Sequence, residues 1–317
     1  MLLKEDPYNL NPFETKNLYG LNNYFHNLIR LYKLNNLPNN MLFSGDKGIG
    51  KFTLCFHFIN YLLSQKSNES YDLNNFKIIE NNIYNLIVNN LCENFIYISN
   101  ENKKKASIED IRAIKQKLYS TTLNNLPRFI VIDDAELLNV NSVNSLLKLI
   151  EEPSFNNYFI LINNNKKNII ETLKSRCVEI KFLLSKEELE NIFDGLQNQF
   201  NIDENYTNKY LKFTTPGNLI KYSEILNSNK INAETSYYKA CTILFERFKK
   251  SKNYIFIDCA NFFLHIKFSK SFVNKQNHLN LINKKLKIMK SLYDFKNFNL
   301  TNNSVLEIIK KIEINAK

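Results

Sequence analysis

Apolar positions along this chain fall into two regimes. Up to about residue 182, short apolar runs recur at Met41 to Phe43, Phe95 to Ser99, Phe129 to Ile132, Tyr158 to Ile162 and Val178 to Phe182. Between them apolar residues return every three or four positions, at Leu54, Phe58, Tyr61 and Leu62, at Ile111, Ile114 and Leu118, and at Val143, Leu146, Leu147 and Ile150. The first spacing is that of strands and the second that of helices with one buried face. The run Phe129-Ile130-Val131-Ile132 is unbroken and mostly β-branched, which suits a strand covered on both faces of a parallel sheet. Strands alternating with helices predict an α/β domain. One helix is expected around Tyr24 to Tyr32, before the first strand, and a short one at Ile169 to Lys174. The stretch Ser67 to Asn90 is polar and rich in asparagine, and its pattern assigns no element.

Punctuation supports these boundaries. Ser107-Ile108-Glu109-Asp110 reads as a capping box with the shorter acid in third place, and Ser185-Lys186-Glu187-Glu188 as a second box. Pro127 separates helix from strand, and Pro153 stops the helix that ends in Glu151-Glu152. Beyond residue 229 the pattern is helical, with Leu279, Ile282, Leu286, Met289 and Tyr293 on one face and Val305, Leu306, Ile309 and Ile312 on a last helix.

With 317 residues, 44% hydrophobic, the chain can build more than one core. No apolar run reaches the roughly 18 to 20 residues of a membrane span, and the start MLLKEDPYNL lacks the basic-then-apolar order of a signal peptide, so a cytoplasmic protein is expected. Cys55, Cys92, Cys177, Cys241 and Cys259 are scattered without a C-x2-C pair, and neither disulfides nor zinc are expected. The formal charge of +11 favours acidic partners such as nucleic acid.

The chemistry concentrates at Met41 to Thr53, MLFSGDKGIGKFT, where a strand leads into Gly45-x4-Gly50-Lys51 and then a helix. Gly45, Gly48 and Gly50 let backbone N–H groups close on phosphate oxygens at a helix N-terminus, and Lys51 adds a point charge. Three of the chain's six glycines lie in this loop, which makes chance assembly improbable. Where a hydroxyl normally follows the lysine to hold Mg²⁺ stands Phe52, with Thr53 one place later. Asp133 ends an apolar strand, the place of a metal-side carboxylate, and Asp134 stands where a hydrolytic enzyme of this type has a glutamate. Asn163 ends the next strand, placed to sense a γ-phosphate. Arg176 is one of five arginines among 42 basic residues, so its planar fork is a candidate for a specific task.

In the order GDKGIGKFT, FIVIDDAELLNVNSVNSLLKLIEEP, SRC, these pieces resemble the AAA+ subunits of the bacterial sliding-clamp loader, and among them the delta-prime type of the DNA polymerase III assembly. NPFETKNLYG, SIEDIRAIKQKL and TTPGN extend the likeness over most of residues 11 to 220. The resemblance implies an α/β AAA+ P-loop domain at 1–182, a small helical lid at 183–228 and an α-helical collar at 229–317. It further implies that Arg176, in Ser175-Arg176-Cys177, is an arginine finger reaching the ATP of a neighbouring subunit. Gly45, Gly48, Gly50, Lys51, Thr53, Asp133, Asp134 and Asn163 would form a degenerate ATP site with an unsettled place for Mg²⁺. Implied partners are the motor and delta-type subunits, with the sliding clamp and primed DNA reached through the complex. Phe52, Asp134 and Asn218, the last where motor subunits carry a second sensor arginine, favour a stator with weak or absent ATPase activity of its own; the alternative is an ATP-hydrolysing motor subunit.

Overall fold

Five strands frame the N-terminal part, and their pairing decides which loop ends meet. The computed structural model describes residues 12–65, 71–99, 108–118, 126–151, 156–202, 207–271, 278–298 and 300–314. In chain order its elements are α1 (Asn22–Lys33), β1 (Asn40–Ser44), α2 (Lys51–Ser64), α3 (Asn82–Val88), β2 (Phe95–Ser99), α4 (Ile108–Leu118), β3 (Arg128–Asp133), α5 (Val140–Glu151), β4 (Asn157–Asn163), α6 (Glu171–Lys174), β5 (Val178–Lys181) and α7 (Lys186–Phe200). Then follow α8 (Pro216–Ser228), α9 (Tyr237–Ser251), α10 (Ile255–Ser271), α11 (His278–Phe298) and α12 (Asn302–Ile314).

The sheet is parallel throughout, in the order β2-β3-β4-β1-β5. The register sets Ser44 beside Asn163 and Lys181, and Ser99 beside Asp133, so the phosphate-type loop after β1 and the carboxylates after β3 open on the same edge. Side chains alternate between the faces of each strand. On one face Met41, Phe43, Phe129, Val131, Ile160 and Ile162 pack with Leu54, Phe58 and Leu62 of α2. On the other, Leu42, Ile130, Ile132, Phe159 and Leu161 pack with Ile111, Ile114, Val143, Leu146 and Ile150 of α4 and α5. This is the three-layer α/β arrangement expected from the alternation of apolar runs and helical spacing.

By packing, the chain divides into two compact units: residues 1–199 with 215–217, and residues 200–214 with 218–317. The second is helical, with α9 to α12 packed in sequence-adjacent and α9·α12 pairs. On α11 the face Ile288, Ser291, Leu292 and Phe295 is buried, whereas Leu279, Ile282, Leu286 and Tyr293 are exposed.

Most expected boundaries fall within a residue or two of those observed. The stretch Ser67 to Asn90 contains α3, capped by the Asn81 side chain accepting from Tyr84 N–H at 2.8 Å. Only the cap and a few apolar residues of this short helix mark it, too few for a periodicity to register. The Ser185 box forms in both directions: Glu188 N–H donates to Ser185 Oγ and Ser185 N–H to Glu188 Oε2. Ser107 and the Glu152-Pro153 stop lie outside the described residues.

Candidate functional site

The loop between β1 and α2 has the backbone of a phosphate cradle. Gly48 and Gly50 sit at φ +88° and +94°, where a side chain would be strained, and Lys51 opens α2. Its ammonium donates to the carbonyls of Gly45 and Asp46, each at 2.7 Å, which folds the side chain over the loop. Lys51 is 3% exposed, and burial lowers its pKa to about 8 although Asp133, Glu136, Asp46 and Asp134 all pull the other way. Two more loop carbonyls are tied down from the start of α8, where Thr215 Oγ1 donates to Lys47 O at 2.6 Å and Gly217 N–H to Gly48 O at 2.9 Å.

Phe52 turns a ring, not a hydroxyl, into the core beside this loop. It is buried with its ring 5.0 Å from Phe13 and 4.6 Å from Tyr97, part of an aromatic cluster that includes Phe56. Thr53 follows one helix position on, about 100° around α2, so its hydroxyl does not replace the missing one. The backbone and Lys51 fit a phosphate group; the side chains do not fit the usual Mg²⁺.

The acidic edge is already paired. Asp133 Oδ1 accepts from Asp134 N–H at 2.8 Å and from Asn164 Nδ2 at 2.9 Å, and Oδ2 faces the Tyr97 hydroxyl at 3.4 Å. Asp134 occupies the left-handed region at φ 52°, which turns its carboxylate inward, and it is 1% exposed. There it meets Lys166 Nζ at 2.9 Å, Asn164 Nδ2 at 2.7 Å and Lys47 Nζ at 3.9 Å. Glu136 Oε1 accepts from the N–H groups of Asn164 and Lys166, while its buried Oε2 has no hydrogen-bond partner among the described residues. Asp134 is thus the counter-ion of Lys166, with Lys47 farther off. Asn163 is buried beside the loop, its Oδ1 accepting from Asn165 N–H at 3.0 Å and its Nδ2 3.4 Å from Ser44 Oγ.

Arg176 lies at the opposite end of the sheet. Its carbonyl accepts from Asn40 Nδ2 at 3.3 Å, at the start of β1, whereas the loop follows the end of β1. The intervening strand, at about 3.3 Å per residue, spans roughly 16 Å. The guanidinium is partly exposed and held by Glu151, Nε at 2.7 Å and a terminal nitrogen at 2.6 Å from Oε1, with a further bond to Thr172 O at 3.0 Å. The structure therefore brings Gly45, Gly48, Gly50, Lys51, Asp133, Asp134 and Asn163 to one edge and leaves Arg176 at the other. Sequence reasoning missed Lys47, Lys166, Asn164 and Tyr97 as partners of the acidic pair. Asn and Lys abound throughout the chain, so nothing local singled them out.

The profile of the family described as "DNA polymerase III, delta subunit" matches residues 20–185, just over half of the chain. Among similar proteins, DNA polymerase III subunit gamma of Buchnera aphidicola subsp. Schizaphis graminum is 27% identical over 215 residues, covering 65% of this chain and 57% of that one. Subunit delta' of Buchnera aphidicola subsp. Baizongia pistaciae is 28% identical over 172 residues, covering 51% and 49%. Subunit delta' of Buchnera aphidicola subsp. Acyrthosiphon pisum is 24% identical and covers 92% of this chain and 83% of its own length. The match thus spans about half the length of the first two relatives.

Proposed function

The chain belongs to the DNA polymerase III delta subunit family, and from that membership we propose that it is a delta-prime-type stator of a sliding-clamp loader, lending Arg176 to the ATP site of a neighbouring motor subunit. One observation carries this reading. Arg176 is on the sheet edge away from its own loop, so any phosphate it meets belongs to another chain, while the chain's own loop has Phe52 in the metal place and a lysine-bound Asp134 in the catalytic one. A planar fork brought to a transferring phosphoryl group balances the charge that spreads over its oxygens, and such fingers are worth ~10³ to 10⁵ in rate. Glu151 holds the fork until a stronger anion replaces it.

In this reading residues 1–182 are the AAA+ domain, 183–228 its lid and 229–317 the collar. The loop retains ATP through its backbone and Lys51 without turning it over, because the group that would hold Mg²⁺ is absent. Collar assembly with motor and delta-type subunits uses the exposed apolar stripe Leu279, Ile282, Leu286 and Tyr293 of α11. The clamp and primed DNA are reached through the assembled complex, in the cytoplasm. Among the described residues no helix is long and apolar enough to cross a membrane.

ATP turnover by the motor subunits, with clamp and primed DNA, tests the reading. Adding this chain should stimulate turnover, and Arg176→Ala should remove most of that stimulation while the complex still elutes as one species. Steady turnover by this chain alone would favour the motor-subunit alternative, and loss of the complex on substitution would make Arg176 a structural residue.

A further inference from the structure

The chain's formal charge is not spread evenly. Residues 200–214 and 218–317 hold 20 of the 42 Lys and Arg but 9 of the 31 Asp and Glu, so the whole excess of +11 falls in the helical unit, while the other unit balances at 22 of each. A lysine-rich coding bias acts on both units alike and explains no such difference.

One described basic patch lies where α9 turns into α10. Lys249, Lys250 and Lys252 are exposed there, and Lys252 takes the left-handed cap position with its ammonium 6.0 Å from the Phe248 ring. Phe248 stands 5.0 Å from Tyr254, whose half-exposed ring has Lys296 of α11 at 6.0 Å. Asp258, bound to Lys296 at 2.8 Å, and Glu246, one turn before Lys249 and Lys250, are the described acids of this corner, against Arg247, Lys249, Lys250, Lys252 and Lys296. The C-terminal dipole of α9 needs only about half a charge for its balance, far less than these cations supply.

We propose that this corner of the helical unit binds a nucleic-acid strand through its phosphates, independently of sequence, with Tyr254 offering a ring face to a base. Flexible lysines over aromatic rings suit a phosphate backbone, which asks for charge at regular spacing and not for a shaped pocket. The inference stands apart from the stator reading, since it uses neither the loop nor Arg176.

The test is fluorescence anisotropy of a short labelled oligonucleotide with the full chain over a range of salt. Binding should weaken steeply with salt, and Lys249→Gln/Lys250→Gln/Lys252→Gln should flatten the logarithmic slope by about 0.7 for each phosphate no longer neutralised. The control Lys115→Gln/Lys148→Gln/Lys167→Gln, exposed lysines of the other unit, should leave the slope unchanged. No salt-dependent binding by the wild type, or equal weakening in both variants, would overturn the proposal. Competition by a polyglutamate peptide as strong, per charge, as by unlabelled oligonucleotide would also overturn it and assign the corner to an acidic protein surface. Unchanged thermal midpoints of both variants exclude misfolding as the cause.

Discussion

Phe52 shows how one side chain changes what a loop can do. Its neighbours Phe13, Tyr97 and Phe56 form a cluster that a hydroxyl would leave under-packed. Phe52→Thr should therefore cost about 3 kcal/mol, as large-to-small core changes do, seen as a lower urea midpoint. It should confer no Mg²⁺-dependent turnover, because Asp133 and Asp134 remain bound to Asn164 and Lys166. Turnover in this variant would mean that the hydroxyl alone was missing. Lys166 is the matching residue on the acidic side. Lys166→Met removes the nearest cation from a carboxylate that is 1% exposed, and should destabilise by about 1–3 kcal/mol, tempered by Lys47 at 3.9 Å. A change in urea midpoint within error would show that Lys47 and Asn164 suffice. Arg128 puts an arginine's fork to a structural use: 1% exposed, it donates to the carbonyls of Glu93 and Lys117 and ties the start of β3 to the loop before β2 and to the end of α4.

Among the elements, α2 both opens with the loop lysine and anchors the segment before α1. His57, fully buried in it, bridges the Tyr71 hydroxyl at 2.8 Å and Thr15 O at 3.0 Å, and burial lowers its pKa to about 4 from the usual 6.5. One ring N–H donates to the carbonyl and the other nitrogen accepts from the tyrosine, which only the neutral ring can do. A depressed folded pKa means that the unfolded chain takes up the proton first as pH falls. The stabilisation is thus complete above about pH 6.5 and is lost on the way down to pH 4. Linkage gives a loss of about 2 kcal/mol between about pH 7 and pH 5. Unfolding free energies from urea titrations at the two pH values should differ by that amount in the wild type and by much less in His57→Gln; an equal fall in both would assign the pH dependence elsewhere. The short α3 illustrates the opposite case, an element held by a cap and burial of Tyr84 and Ile87 with too little sequence to announce it.

At the scale of the whole molecule, the two units differ in surface. The α/β unit carries balanced charge and a self-paired loop edge, whereas the helical unit carries the charge excess and an apolar stripe on α11. The spacing of Leu279, Ile282, Leu286 and Tyr293 marks a helix face, and the structure shows that this face points outward while Ile288, Leu292 and Phe295 fill the core. Leu286→Asp should change the stability of the isolated chain by no more than about 0.5 kcal/mol and reduce its co-elution with motor subunits. Intact assembly would move the subunit contact off this stripe.

Sequence alone determined the alternation of strand and helix, the loop at Gly45 to Lys51 and the acids ending β3, because period, glycine content and proline stops are local properties that survive without a partner. It also singled out Arg176 through the rarity of arginine. Tertiary structure alone decided that Arg176 faces away from the loop, that Asp134 is neutralised by Lys166, and that the α11 stripe is exposed. Each of these depends on which distant segment is packed alongside: strand register sets the ends of the sheet, a left-handed turn aims the aspartate, and the choice of core face is made by the neighbouring helices.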